Sequence, residues 1–133
     1  MDVLILAAGL GTRMENLTKD LPKPLLPVKR KPLIDYAFDL IEPLKTGNIF
    51  VNTHYYADLI QSHVKKNYED IKISFEPEIL GTGGGIKKIH QNDLLVLNTD
   101  NLWQEQFVQE IKSAWDHFQN NQNIDNLLLT KTN

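Results

Sequence analysis

Four stretches of the chain hold residues whose types and spacing could grip a phosphate compound. The first is Leu6-Ala7-Ala8-Gly9-Leu10-Gly11-Thr12-Arg13-Met14. Two glycines one residue apart, after an apolar run, let successive backbone N–H groups converge on one anion, and Arg13 adds a planar cationic fork matched to phosphate oxygens. The second is Leu21-Pro22-Lys23-Pro24-Leu25-Leu26-Pro27-Val28, in which prolines on both sides of Lys23 stiffen the backbone and hold one positive charge in place. The third, Glu76 to Lys88, carries four glycines within the five residues 81–85. Bare backbone at a helix start can pack against a flat ring, with Glu78 and Thr82 as side-chain contacts. The fourth is Leu94-Leu95-Val96-Leu97-Asn98-Thr99-Asp100-Asn101, which puts a carboxylate just past an apolar strand, a hard oxygen ligand for Mg²⁺.

Each stretch also has a plainer reading. The first serves as a tight turn with a surface arginine, the second as a linker, the third as a helix cap built on Thr82, and Asp100 as a turn residue. Two familiar phosphate motifs fit the first stretch poorly, leaving a dinucleotide-dependent oxidoreductase as a minor alternative. A P-loop ends in Gly-Lys-Ser/Thr, which is missing, and a dinucleotide fingerprint needs glycine where Met14 stands. Six of the seven glycines fall in the two clusters, a concentration that flexibility alone does not require.

These residues need a scaffold. The run Val3-Leu4-Ile5-Leu6-Ala7-Ala8 predicts a strand (2–8) buried on both faces, as in a parallel sheet. A long polar, proline-containing connection follows to Lys31. Leu33 to Leu44 has helical periodicity with Pro32 ahead and Gly47 behind. Further strands are expected at 48–53, 71–75, 94–97 and 127–130, with helices at 56–68, 83–90 and 104–118. Alternating strands and helices imply right-handed crossovers and a mainly parallel sheet, whose ligands bind at the carboxyl ends of the strands. All four stretches fall there. The late run Leu127-Leu128-Leu129 leads us to expect a sheet completed by further strands, a second chain or another copy.

Composition narrows the classes. The 133 residues are 41 % hydrophobic and 23 % charged, the profile of one globular domain. A formal charge of -3 gives no basic excess for nucleic acid, and no apolar run is long enough to span a membrane. There is no cysteine, so disulfides, thiolate metal sites and cysteine nucleophiles are excluded. The first residues lack a basic n-region, so a cytoplasmic protein is expected.

Taken in order, the segments L-A-A-G-L-G-T-R, P-K-P-L-L-P-V, P-L-I-D-Y, V-N-T-H-Y, E-P-E-I-L-G-T-G-G-G-I and L-N-T-D resemble the nucleotide-sugar pyrophosphorylases, or sugar-1-phosphate nucleotidyltransferases. The resemblance runs from about residue 2 to the end of the chain. It is strongest to the N-acetylmuramate-1-phosphate uridylyltransferases, with mannose- and heptose-1-phosphate guanylyltransferases next. It implies a Rossmann-like, three-layer α/β fold of one domain, 1–133, incomplete at its C-terminus. It implies a cytoplasmic transferase of nucleotide-sugar and cell-wall biosynthesis that uses Mg²⁺, a nucleoside triphosphate (UTP first, GTP second) and a sugar 1-phosphate, with neither nucleic acid nor membrane as partner. By the same resemblance Arg13 and Lys23 are catalytic. Ala7, Ala8, Gly9, Gly11, Thr12, Arg13, Lys23, Glu78, Thr82, Gly83 and Asn98 bind nucleotide, and Asp100 binds the metal. Asn52 and His54 lie near nucleotide or sugar, His54 being equally readable as a packed loop histidine. The family's Asn-Gly-Asp reads Asn98-Thr99-Asp100 here, a change that a negative φ at Thr99 would accommodate. Family catalytic domains are longer, and their later strands supply a second metal-binding aspartate and most of the sugar pocket. The alternative is therefore a non-catalytic module that keeps only the triphosphate half-site.

Overall fold

The computed structural model describes residues 1–14, 16–89 and 92–130. The elements are β1 (Asp2–Leu6), β2 (Pro27–Val28), β3 (Lys31–Pro32), α1 (Leu33–Ile41), β4 (Ile49–Thr53), α2 (Ala57–Asn67), β5 (Ile71–Phe75), α3 (Gly81–Ile89), β6 (Leu94–Asn98) and α4 (Gln106–Asn120). Two 3₁₀ turns, Thr12–Met14 and Lys23–Leu25, break up the connection after β1. A two-residue hairpin joins β2 to β3, with Lys29 and Arg30 both at positive φ, as such tight turns require. This connection, expected to lack regular structure, therefore has its own local hydrogen bonding.

The main sheet is parallel, in the order β5-β4-β1-β6. Its centre is β1, which explains the unbroken apolar run: Val3, Leu4 and Ile5 are all fully buried. Residues paired in register share a face. Ile5, Val51, Ile73 and Leu97 form one row, and Leu6, Asn52, Ser74 and Asn98 the next. The first row joins the core cluster with Ile34, Phe38 and Ile41 of α1, Ile60 and Val64 of α2, and Val108 and Ile111 of α4. The second row faces α3, where the Cβ that Gly85 lacks would lie 3.1 Å from Asn52 Nδ2. Helices thus cover both faces, giving three layers. A further tie links α1 to α2, where His63 Nε2 lies 2.7 Å from Asp35 Oδ1. Burial, with that carboxylate alongside, pushes the Tyr68 hydroxyl upward in pKa.

The order of strands reverses at β1. Its first connection leads to β4 on one side, while β5–α3–β6 crosses back to the other. Such a switch point opens a crevice beyond the strand ends, the usual ligand position in open α/β sheets.

One expectation fails. Residues 127–130 form no strand, and Leu127, Leu128 and Leu129 are exposed, Leu128 at 81 %. An apolar run becomes a strand only when a neighbour supplies its hydrogen-bond ladder, and among the described residues none does. The helix expected over 83–90 begins two residues earlier, at Gly81, and the end expected at His90 lies outside the described residues. Truncating fully buried Ile34 to alanine should cost about 2–5 kcal/mol. The check is a lower urea midpoint, with the slope unchanged, in circular-dichroism unfolding.

Candidate functional site

The crevice beyond β1 is a hollow of about 450 Å³. Three connections build it. After β1 the chain turns through Ala7-Ala8-Gly9-Leu10-Gly11. Gly11 has φ +66, and an added Cβ would sit 2.9 Å from Thr18 Cγ2. Only glycine suits both demands. The turn closes when Met14 N–H donates to the Gly11 carbonyl (2.9 Å) and the buried Thr18 hydroxyl donates to the same oxygen (3.1 Å). Thr12 and Arg13 are exposed on the 3₁₀ turn that follows.

Lys23 opens the second 3₁₀ turn between two buried prolines. Leu25 N–H donates to Pro22 O (2.9 Å) and Leu26 N–H to Lys23 O (3.1 Å), which fixes the backbone that carries the ammonium. Lys23 Nζ reaches Asp100 Oδ2 at 3.1 Å, across 77 positions of sequence. The side chains are 29 % and 48 % exposed, so the pair lies at the mouth of the hollow and is open to exchange. Thr99, buried beside it, donates its hydroxyl to Leu6 O at 2.8 Å and ties the end of β6 to the end of β1. Thr99 is not among the residues with positive φ, so its Cβ is accommodated there without strain.

The third wall comes from β5 and α3. Glu76 is fully buried at the end of β5, and Asn52 is 3 % exposed in β4. Ala7 N–H donates to Asn52 Oδ1 (2.7 Å), Asn52 Nδ2 donates to Glu76 Oε1 (2.9 Å), and Leu80 N–H donates to Glu76 Oε2 (3.1 Å). This chain of bonds runs from the turn after β1 to the start of α3.

The hollow gathers most of the expected residues. Ala7, Ala8, Gly9, Gly11, Thr12, Arg13, Lys23, Thr82, Asn98 and Asp100 all line it. Glu78 is exposed and is not among its lining residues, nor is Gly83. Thr82 is the second residue of α3, not a cap ahead of it. His54 turns away, its Nδ1–H donating to Glu76 O at 2.7 Å, and lines a separate groove with Tyr56 and Phe75. Sequence reasoning passed over Glu76. It continues the face of Asn52 and Ser74, which pair across β4 and β5, so the register was needed to find it.

Among the described residues, no group of three or more His, Asp or Glu side chains could enclose a metal ion. Asp100 stands as a single carboxylate at the open side of the hollow. Mg²⁺ is commonly held by one or two carboxylates together with substrate phosphates, so this donor set fits an ion that arrives with a polyphosphate.

An open parallel α/β sheet with a glycine turn and two cations at its switch point has the build of a Rossmann-like nucleotidyltransferase domain. The chain belongs to the nucleotidyl transferase family (NTP_transferase), whose model matches residues 2–131. It is 39 % identical over 126 residues to the N-acetylmuramate alpha-1-phosphate uridylyltransferase of Caulobacter vibrioides, covering 85 % of this chain and 52 % of that protein. It is 37 % identical over 105 residues to the D-glycero-alpha-D-manno-heptose 1-phosphate guanylyltransferase of Campylobacter jejuni, covering 75 % of this chain and 48 % of that one. The crystal structure of HddC from Yersinia pseudotuberculosis complexed with GMP-PN matches with a TM-score of 0.63 and 34 % identity, over 86 % of this chain and 54 % of that chain. The chain therefore spans about half the length of the relatives it matches.

Proposed function

We propose that this chain forms the nucleoside-triphosphate-binding part of a sugar-1-phosphate nucleotidyltransferase. One observation carries the reading: Arg13, Lys23 and the sequence-distant Asp100 line a single hollow with the glycine turn after β1. In the proposed reaction an oxygen of a sugar 1-phosphate attacks the α-phosphorus in line. The bond to the β-phosphate bridging oxygen breaks, pyrophosphate leaves, and a nucleotide sugar forms. This chemistry asks for alignment and charge neutralisation and needs no covalent help from the protein.

In this reading the N–H groups of Gly9, Gly11 and Thr12 cradle the triphosphate, and Arg13 takes the departing β- and γ-phosphates. Lys23 meets the α-phosphate as its charge grows. Ala7 and Ala8, small and buried, leave room beneath the nucleoside. Thr82 and Asn98 contact it, and Glu78 and Gly83 follow only if the loop closes over the ligand. Asp100 holds Mg²⁺, which when bound neutralises phosphate charge. The uridylyltransferase and guanylyltransferase relatives make UTP the first choice and GTP the second. The first of these relatives makes N-acetylmuramate 1-phosphate the first sugar to try, and we infer a place in cytoplasmic synthesis for the cell wall.

The test is twofold. UTP or GTP with Mg²⁺ should raise the melting temperature, since ligand at 100 times its Kd stabilises by about 2.7 kcal/mol. Adding a sugar 1-phosphate should then release pyrophosphate. No shift with any triphosphate would overturn the reading. A shift with no pyrophosphate would reduce it to a binding module.

A further inference from the structure

We propose that Asn52 and Glu76 are a positioning pair that sets the separation between the phosphate-gripping turn after β1 and the nucleoside-facing start of α3. The inference rests on the nucleotide-binding reading and deepens it. The two walls are bridged by one buried amide, 45 positions from Ala7 and 24 from Glu76, that accepts from Ala7 N–H and donates to Glu76. Glu76 passes the constraint on, because its other oxygen accepts from Leu80 N–H one residue before α3. Gly85 closes the arrangement from the helix side. A Cβ there would lie 3.1 Å from both Asn52 Nδ2 and Glu76 Oε1, so α3 can press directly onto the pair. Among the described residues neither side chain makes any other hydrogen bond, although both line the hollow.

The polarity of the chain of bonds is what makes it specific. Ala7 and Leu80 each present an N–H, so the pair must offer an oxygen at both ends and one N–H···O bond in the middle. One amide and one carboxylate satisfy this, in either order. Asn52→Asp sets two carboxylates against each other. Glu76→Gln leaves a donor facing a donor, either at Asn52 or at Leu80. The double variant Asn52→Asp/Glu76→Gln restores every bond. Its carboxylate accepts from Ala7 N–H and from the new amide, whose carbonyl accepts from Leu80 N–H. All three variants are nearly isosteric, so none opens a cavity.

Binding of UTP, GTP and inorganic triphosphate, each with Mg²⁺, reads the outcome by calorimetry. Each single variant should weaken the nucleotide the wild type prefers by on the order of tenfold, the cost of one buried unsatisfied group. Inorganic triphosphate, which touches only one wall, should change by no more than about twofold. The double variant should return nucleotide affinity to within about twofold of wild type. Gly85→Ala, which crowds the pair without removing either member, should show the same nucleotide-selective loss and covers the case in which the single variants do not fold. The proposal is overturned by folded single variants that bind nucleotide normally, by equal losses for nucleotide and inorganic triphosphate, or by a folded double variant that stays weak. A wild type that binds inorganic triphosphate but no nucleoside triphosphate overturns the functional reading itself, a result separate from any of these.

Discussion

Replacing Lys23 by methionine is expected to lower affinity for the preferred nucleoside triphosphate by roughly ten- to hundredfold, the loss of one charge-assisted hydrogen bond. Three features of the structure raise this above the effect of an ordinary surface lysine. The backbone at Lys23 is fixed by flanking prolines and by the bonds of its 3₁₀ turn, so little ordering remains when phosphate arrives. The lysine side chain is only 29 % exposed and already lines the hollow. Its present partner, Asp100, would lose its cation in the free protein and oppose an incoming polyanion until a metal ion replaced the lysine. Methionine keeps most of the stem's length and packing, so the folded state should be unaffected. Calorimetric titration with UTP and GTP in the presence of Mg²⁺ measures the change. An affinity equal to wild type would place the triphosphate somewhere other than this hollow.

Much of this arrangement was legible in the sequence, for identifiable reasons. The run Val3-Leu4-Ile5 announced the central strand because a strand buried on both faces cannot alternate. The helix from Leu33 was readable from its apolar spacing and from Pro32. The glycine clusters marked two corners of unusual backbone, and each holds a glycine at positive φ, Gly11 in the first and Gly81 in the second. What could not be read was side-chain direction at the third wall. Glu78 drew attention as the carboxylate nearest the glycines, yet it follows the strand and points to solvent, while Glu76 continues the inward row of Asn52 and Ser74. Counting in twos from Asn52 requires the register of β4 with β5, which is a tertiary fact. The same limit explains Leu127-Leu128-Leu129. Apolar character marks residues able to form a strand, and the missing element is the partner edge.

Asp100→Asn should act in opposite directions with and without the cation. In the free protein Asp100 neutralises Lys23, so a triphosphate must displace one charge to reach the other. Removing the carboxylate frees the lysine and removes a negative charge from the approach path. At this exposure the interaction is worth about 1 kcal/mol, so metal-free triphosphate should bind roughly fivefold more tightly. With Mg²⁺ the order reverses. In the proposed reading the wild type gains affinity, because Asp100 would help hold the ion that neutralises the phosphates and Lys23 would be free to move onto them. The variant offers only a neutral amide, a poor ligand for a hard cation. Its Mg²⁺-dependent gain should shrink by at least about tenfold, the lower range of what even outer-sphere partners cost when removed. Titrations with UTP or GTP, first in EDTA and then in Mg²⁺, separate the two effects on one preparation. A carboxylate serving only to anchor the Lys23 loop predicts weaker binding in both buffers, and a residue remote from the ligand predicts no change in either. The crossing of the two curves is thus specific to a carboxylate that exchanges a lysine for a metal ion when the triphosphate enters.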